Sequence, residues 1–194
     1  TVGNDLTISS GVFDINSNNI TVANTLFNLS IWKLQGSETV SIGTFDTDSG
    51  TIEYDGTGSY SALNATANET TDTYYDLVIS GTGTWDIDDA LVVSDDLTIS
   101  AGSLDINGQN LTVTSTLSND SVLRLKGAET VSVGTFDTNS GTVEYDGTGS
   151  YSALNATANE TTDTYYDLVI SGTGTYDIDD ALIVNDDLTI SAGS

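Results

Sequence analysis

The chain of 194 residues is strongly acidic, with 29 Asp and Glu against 3 Lys and Arg and a net charge of -26. It contains no Cys, His, Pro or Met, which excludes a disulfide scaffold, a Cys or His metal site, and a Ser-His-Asp or Cys-His nucleophile built from this chain alone. The charge argues against binding to nucleic acid or to an anionic membrane, because few basic side chains could neutralise phosphates. No apolar run approaches the length of a membrane-spanning helix, so no membrane insertion is expected.

A tandem duplication organises the whole chain. Residues 1–91 form one copy, residues 92–182 form a second, and residues 183–194 begin a third. Leu6, Leu97 and Leu188 occupy the same place in NDLTIS, DDLTIS and DDLTIS, and no insertion interrupts the register. Differences are mild, for example Trp85 against Tyr176. No initial Met or signal peptide is visible, and the chain is expected to be a segment of a longer array.

Short strands are predicted along the second copy, because apolar residues alternate at i and i+2 and no helical stripe appears. Gly, Asn, Asp and Ser separate the segments. In chain order the strands begin at Leu97, Leu104, Leu111, Leu117, Leu123, Val131, Phe136, Val143, Tyr151, Leu168, Tyr176 and Leu182.

Every third strand recurs after about 20 residues, which predicts coils of three strands, each coil being one circuit of the chain around a rod. Successive coils are expected to begin at Leu97, Leu117, Phe136, Leu168 and Leu188. Each 91-residue repeat would then hold four coils. Residues 63–73 and 154–164 are predicted to project from the rod as polar loops.

Such short strands cannot form long hairpins, but they can stack coil on coil at about 4.8 Å with each backbone paired above and below. The sequence therefore predicts an all-β, right-handed parallel β-helix solenoid. The alternative is a tandem of immunoglobulin-like β-sandwiches, since 91 residues is close to the usual size of such a domain. The 20-residue sub-period favours the solenoid, because a sandwich does not require it.

Two segments carry a family resemblance, NDDLTISAGSLDINGQNLTVTSTL and GTGTYDIDDALIVNDDLTIS. Their pattern of strand and corner residues, which extends over the whole chain, resembles the right-handed parallel β-helix repeats of large bacterial and archaeal cell-surface proteins. The resemblance implies an extracellular or cell-surface location. It also implies a role as an adhesin, filament, sheath or stalk.

An acidic segment, WDIDDALVVSDDL, recurs in the second copy as YDIDDALIVNDDL, and it is predicted to lie at a corner of the solenoid. Stacked carboxylates repel one another unless they are solvated, protonated or bridged by a cation, and Ca²⁺ prefers six to eight oxygen ligands. A solvated acidic corner explains the segment without any metal. The Ca²⁺ hypothesis assigns the ligands to Asp88, Asp89, Asp105, Asp179 and Asp180.

Eight Asn-x-Ser/Thr sequons occur, a number that composition and duplication largely explain. The four in the predicted loops are the stronger candidates for N-linked glycans, because a polar loop is accessible. These are Asn64, Asn68, Asn155 and Asn159. The remaining four are Asn19, Asn28, Asn110 and Asn119.

Tyrosine pairs follow the predicted loops, at Tyr74 and Tyr75 and again at Tyr165 and Tyr166. Tyrosines beside polar loops can stack on sugars, which defines a candidate site for surface glycans. The simpler interpretation places one ring of each pair in the core and the other over the base of the loop. The three basic residues, Lys33, Arg124 and Lys126, are expected to pair with carboxylates of neighbouring coils.

Together these patterns predict a structural segment of an extracellular filament, sheath or stalk, with no enzymatic activity and no required cofactor. Its expected partner is another copy of itself, by covalent continuation or by end-to-end stacking of open coils. Two alternatives stay open, a glycan-binding adhesin stalk and a Ca²⁺-dependent surface-layer component. An enzyme is not expected, because a duplicated chain without basic groove residues offers no single unrepeated cleft.

Overall fold

The computed structural model describes residues 1–63, 65, 71–154, 156 and 162–193, and it shows a parallel β-solenoid of about nine coils. Every strand pair in these ranges is parallel, and stacked neighbours lie about 20 residues apart, as Leu97 does from Leu77 and Leu117. The solenoid prediction is thus confirmed. The alternative of immunoglobulin-like sandwiches is wrong, because those domains are built from antiparallel sheets. The same residues contain no helix that is both long and apolar enough to cross a bilayer.

The described residues form 23 short strands. In chain order they are β1 Leu6–Ile8, β2 Val12–Asp14, β3 Ile20–Asn28, β4 Ile31–Leu34, β5 Val40–Phe45, β6 Thr51–Tyr54, β7 Ser59–Tyr60, β8 Thr71–Tyr74, β9 Asp76–Ile79, β10 Thr84–Asp86, β11 Ala90–Val93, β12 Leu97–Ile99, β13 Ser103–Asp105, β14 Leu111–Asn119, β15 Val122–Leu125, β16 Val131–Phe136, β17 Thr142–Tyr145, β18 Ser150–Tyr151, β19 Thr162–Tyr165, β20 Asp167–Ile170, β21 Thr175–Tyr176, β22 Ala181–Val184 and β23 Leu188–Ile190.

Three ladders of inward-facing side chains run along the rod, one on each face. The first ladder contains Phe13, Trp32, Ile52, Leu77, Leu97, Leu117 and Phe136. The second contains Tyr60, Trp85, Leu104, Leu123, Val143, Leu168 and Leu188. The third contains Leu91, Leu111 and Val131. Leu6, Leu26 and Phe45 belong to the same face, because each lies on a strand that comes immediately before a strand of the first ladder.

In many strands, buried and outward-facing side chains alternate, and the buried ones form the core. In β11, Leu91 and Val93 are fully buried while their neighbours face outward, and β9, β15 and β17 repeat this pattern. The apolar side chains of the middle coils, such as Leu97 and Leu104, have no exposed surface. Burial of so many Leu, Ile, Val and aromatic side chains supplies the main stabilisation, at roughly 25 cal/mol per Å² of apolar surface removed from water.

The strands that follow the predicted loop 154–164 stack on different partners from those that the sequence predicts. Val143 stacks beneath Leu168 rather than on the face of Tyr176, and Tyr151 stacks beneath Tyr176 rather than Leu182. The reason is that residues 162–164, assigned above to the loop, form β19 together with Tyr165, and this strand pairs with β22. This strand reads TDTY, and its inward positions are occupied by Asp163 and Tyr165. Because Asp163 is not apolar, the alternating apolar pattern does not detect the strand.

Because of this extra strand, a 91-residue repeat contains thirteen strand positions, or four and one third coils, rather than four. Leu97 accordingly lies on the first ladder and Leu188 on the second, while Leu6 lies on the third. Equivalent residues of successive repeats are thus displaced by one face, or about 120°. At a coil spacing of about 4.8 Å, the axial displacement is about 21 Å per repeat.

Candidate functional site

Acidic and amide side chains at the corners bind the backbone of the next coil. The Asp96 carboxylate accepts a hydrogen bond from the Thr116 amide at 2.9 Å, one coil above, and Asp76 accepts one from the Asp96 amide at 3.2 Å. Asp5 and Asp167 make the same contact. The amide oxygens of Asn19 and Asn110 accept similarly from Thr39 and Thr130. We call these contacts the corner hydrogen bonds.

Much of the acidic character is therefore structural, since a side-chain acceptor completes the ladder where the strand ends. Stacking has an electrostatic cost, because burial and the charges of Asp95 and Asp96 raise the pKa of Asp76. The last described coil contains an equivalent of Asp5 and Asp96, namely Asp187. In both earlier positions this carboxylate accepts a Thr amide from the following coil.

The proposed Ca²⁺ ligands differ in their burial. Asp88, Asp179 and Asp180 are exposed and Asp89 is half-buried. Asp105 is nearly buried, where its carboxylate accepts the Asn107 amide at 2.7 Å and lies 3.7 Å from Lys126 Nζ. Burial raises the pKa of Asp105, against the opposing effect of that hydrogen bond and the lysine. Within the described ranges, no group of three or more carboxylates has metal-binding geometry.

The three basic side chains each contact carboxylates of a neighbouring coil. Lys33 Nζ lies 2.8 Å from Glu53, and the equivalent Arg124 Nε lies 2.8 Å from Glu144. The hydrogen bond to Glu144 raises the pKa of Arg124. Lys126 Nζ lies 2.9 Å from Asp146. These pairs compensate charge between stacked strands.

Two buried glutamates were missed by sequence reasoning, Glu38 and its equivalent Glu129. The Glu38 carboxylate accepts the amides of Gln35 and Gly36, each at 2.7 Å, and Glu129 binds the corresponding amides. Each glutamate therefore organises a tight corner whose glycine has a positive φ. The recurring QGSE and KGAE segments were the available signal, since an acid two residues after a Gly can reach back to its amide.

The tyrosine pairs divide between core and surface. Tyr74 and Tyr165 are buried, so their ring faces are closed off from any sugar. Tyr75 and Tyr166 retain partial exposure, and a hydrogen bond to Asp95 raises the pKa of Tyr75, just as Asp186 raises that of Tyr166. Only one ring of each pair is thus accessible for ligand binding.

The sequons fall into three groups. Asn64, Asn68, Asn155 and Asn159 lie outside the described residues. Asn28 and Asn119 are buried, and their side-chain NH₂ groups donate to the carbonyls of Thr51 and Thr142 at 2.9 and 3.0 Å. These are the nitrogens that a glycan would occupy, so modification would disrupt both contacts. Asn19 and Asn110 are exposed and form corner hydrogen bonds through their oxygens.

The last described coils expose an apolar surface at the end of the rod. Leu188 and Ile190 are 51% and 63% exposed, and Ile178 is 56% exposed. Together with Tyr176 and Leu182 they line a shallow apolar depression. This surface, which we call the open end, lies at the last described coil and was anticipated above only as an open coil edge.

No family model matches the chain, and neither the curated proteins nor the solved structures contain a significant match to it.

Proposed function

We propose that the chain is a structural segment of an extracellular filament, sheath or stalk, in which it acts as a stiff, hydrated rod. The observation that carries this proposal is the second ladder, in which backbone pairing continues without a break from Tyr60 to Leu188. A rod with main-chain hydrogen bonds along its length resists bending and local opening.

Surface chemistry supports the same function. The net charge of -26 keeps parallel rods apart and hydrated, while the corner hydrogen bonds use part of that acidity to join consecutive coils. Glycan binding and Ca²⁺ binding remain secondary proposals, because Tyr74 and Tyr165 are enclosed in the core and the described residues contain no metal-binding group of three or more carboxylates.

Immunogold electron microscopy of cells that produce the chain tests this function. An antibody against the exposed Asp179 corner should label elongated surface structures on intact cells. Permeabilised cells provide the matched control and should show no additional internal label. Label confined to the interior would overturn the proposal, whatever the state of assembly of the purified chain.

A second measurement tests stiffness independently. Small-angle X-ray scattering of the dilute chain should show an elongated particle about 43 Å long, from about nine coils at about 4.8 Å. A scattering profile of flexibly linked beads would contradict a rod.

A further inference from the structure

The sequence and the coil spacing together define a charge density along the axis of the rod. Both 91-residue repeats carry the same excess of acidic over basic side chains, about 12 negative charges each. Spread over about 21 Å per repeat, they amount to one net charge for about every 1.7 Å of axis, which is the charge spacing of double-stranded DNA. This density belongs to the repeat and does not depend on how many repeats a rod contains.

The basic side chains do not break this line of negative charge. Each of the three contacts a carboxylate of a neighbouring coil of the same rod. Most of the described acids reach the surface, and the buried ones are Glu38, Asp72, Asp105, Glu129 and Asp163. Because equivalent residues of successive repeats are displaced by about 120°, the outward acids are distributed around the axis and are not gathered in one groove.

Such a spacing has a known physical consequence. Two unit charges in water interact with an energy equal to the thermal energy at about 7 Å, several times the spacing on the rod. A line of charge this dense retains a layer of condensed counterions, as duplex DNA does. Crowding is visible at the corners, where burial and the charges of Asp95 and Asp96 raise the pKa of Asp76. A polyvalent cation that binds the rod releases many of these counterions, which favours its binding.

We propose that the rod binds a polycationic partner, a Lys- or Arg-rich segment of another protein, along its surface through counterion release. Charge complementarity selects this partner. An extended chain advances about 3.3 Å per residue, so two such segments lying along the axis would together match the charge of the rod. The inference goes beyond the proposed function, because it names a partner that could hold mutually repelling rods together.

A discrete acidic site at one corner is the competing arrangement, and the two differ in stoichiometry. With a net charge of -26, charge matching predicts that about three octalysine peptides, or about six tetralysine peptides, saturate one chain at low salt. Isothermal titration calorimetry of the purified full chain measures both numbers. The number bound should double when the peptide is halved, whereas an unchanged number would indicate discrete sites and would overturn the proposal.

Salt dependence provides the second test. Fluorescence anisotropy of labelled octalysine should show a Kd that rises at least tenfold between about 50 and about 200 mM NaCl, because each bound lysine releases condensed counterions. Labelled octaglutamate is the control and should not bind. A smaller rise, or no binding of octalysine at the lower salt concentration, would refute binding by counterion release.

Two matched variants locate the charge. Asp88→Asn with Asp89→Asn removes two acids from one corner, and Asp48→Asn with Asp120→Asn removes two exposed acids elsewhere on the rod. Asn139 already occupies the place equivalent to Asp48, so an amide is accommodated there. Delocalised charge predicts that both variants weaken octalysine binding by factors within about threefold of each other, with unchanged circular dichroism spectra. A larger difference between them would identify a local site and contradict the proposal. Failure of any of these binding tests would not affect the rod shape or the surface location tested above.

Discussion

The hydroxyl groups of Tyr145 and Tyr165 meet inside the rod at 3.2 Å, and the Tyr165 hydroxyl donates to the Leu154 carbonyl at 3.0 Å. The first copy contains the same pair, Tyr54 and Tyr74, at 3.3 Å. Burial raises the pKa of all four phenols, so they remain neutral donors. In each copy the tyrosine pair connects two strands inside the rod, β6 with β8 and β17 with β19.

Replacing Tyr165 with Phe should therefore destabilise the fold. The Leu154 carbonyl loses its donor, the Tyr145 hydroxyl loses its partner, and the expected loss is about 1–3 kcal/mol in the free energy of unfolding. Urea denaturation measures it. The matched control is Tyr166→Phe, at a partly exposed position, which should change stability by less than about 0.5 kcal/mol. Equal effects of the two variants would show that the buried pair has no structural role.

Replacing Asp96 with Ala should cost about 1–2 kcal/mol, because the Thr116 amide loses its acceptor at a corner. Asp96→Asn is the matched control. It retains an oxygen acceptor, as Asn110 does for Thr130, and it removes a charge beside Asp76. We expect Asp96→Asn to be at least as stable as the parent chain in thermal unfolding. A larger loss for Asn than for Ala would contradict the acceptor role.

Stability should increase as the pH falls from neutral towards about 4, the ordinary range of carboxyl pKa values. Burial raises the folded-state pKa of Asp76 and Asp105, so the folded chain binds these protons more tightly than the unfolded chain does. The free energy of unfolding therefore rises as pH falls through the folded pKa, and levels off below the unfolded pKa.

Glu144 acts in the opposite direction. Although burial alone would raise its pKa, hydrogen bonds from Ser171 and Arg124 lower it, so its stabilisation is lost on acidification. Because the net charge is -26, the stabilisation that comes from protonating Asp76 and Asp105 outweighs the loss at Glu144. Tm measured by circular dichroism should be higher at about pH 4.5 than at about pH 7, and Asp76→Asn should reduce the difference. A Tm that falls over this range would refute the assignment.

Gly81→Ala should destabilise the rod by about 1–3 kcal/mol or more. A Cβ at this position would collide with the Gly56 carbonyl oxygen and the backbone of Asp55 in the coil below, and backbone atoms cannot move aside without disturbing the ladder. Gly3→Ala is the control, because its Cβ would meet no atom within 4 Å. Thermal unfolding of the two variants side by side would expose the contrast, and similar Tm values would argue against close packing at this corner.

Alternation and repetition were sufficient to predict the solenoid. Leu97, Leu104 and Leu111 mark three successive faces directly, because each is an apolar residue in an i, i+2 pair. Strand β19 could not be found in this way, since its inward positions hold Asp163 and Tyr165. Its omission assigned Val143 and Leu168 to different faces, although they are stacked partners.

The candidate sites were less predictable than the fold. Composition identifies the corner acids but does not say whether Asp105 binds a metal ion or a lysine. That depends on Lys126, which lies one coil further along the chain with its Nζ 3.7 Å from the Asp105 carboxylate. Leu188 and Leu97 lie in the same DDLTIS segment, but Leu97 is fully buried and Leu188 is 51% exposed in the last described coil. Exposure is a property of position along the rod, and local sequence does not encode it.

The displacement of each repeat by one face has an evolutionary consequence. A residue that faces one direction in the first copy must be tolerated on another face in the second. Duplication therefore places the same side chains on different faces, and no single face differs enough from the others to form a groove. Function on such a rod is distributed around its axis. Any modification or ligand that one repeat acquires is displayed along a spiral, returning to the same direction after three repeats, or about 62 Å.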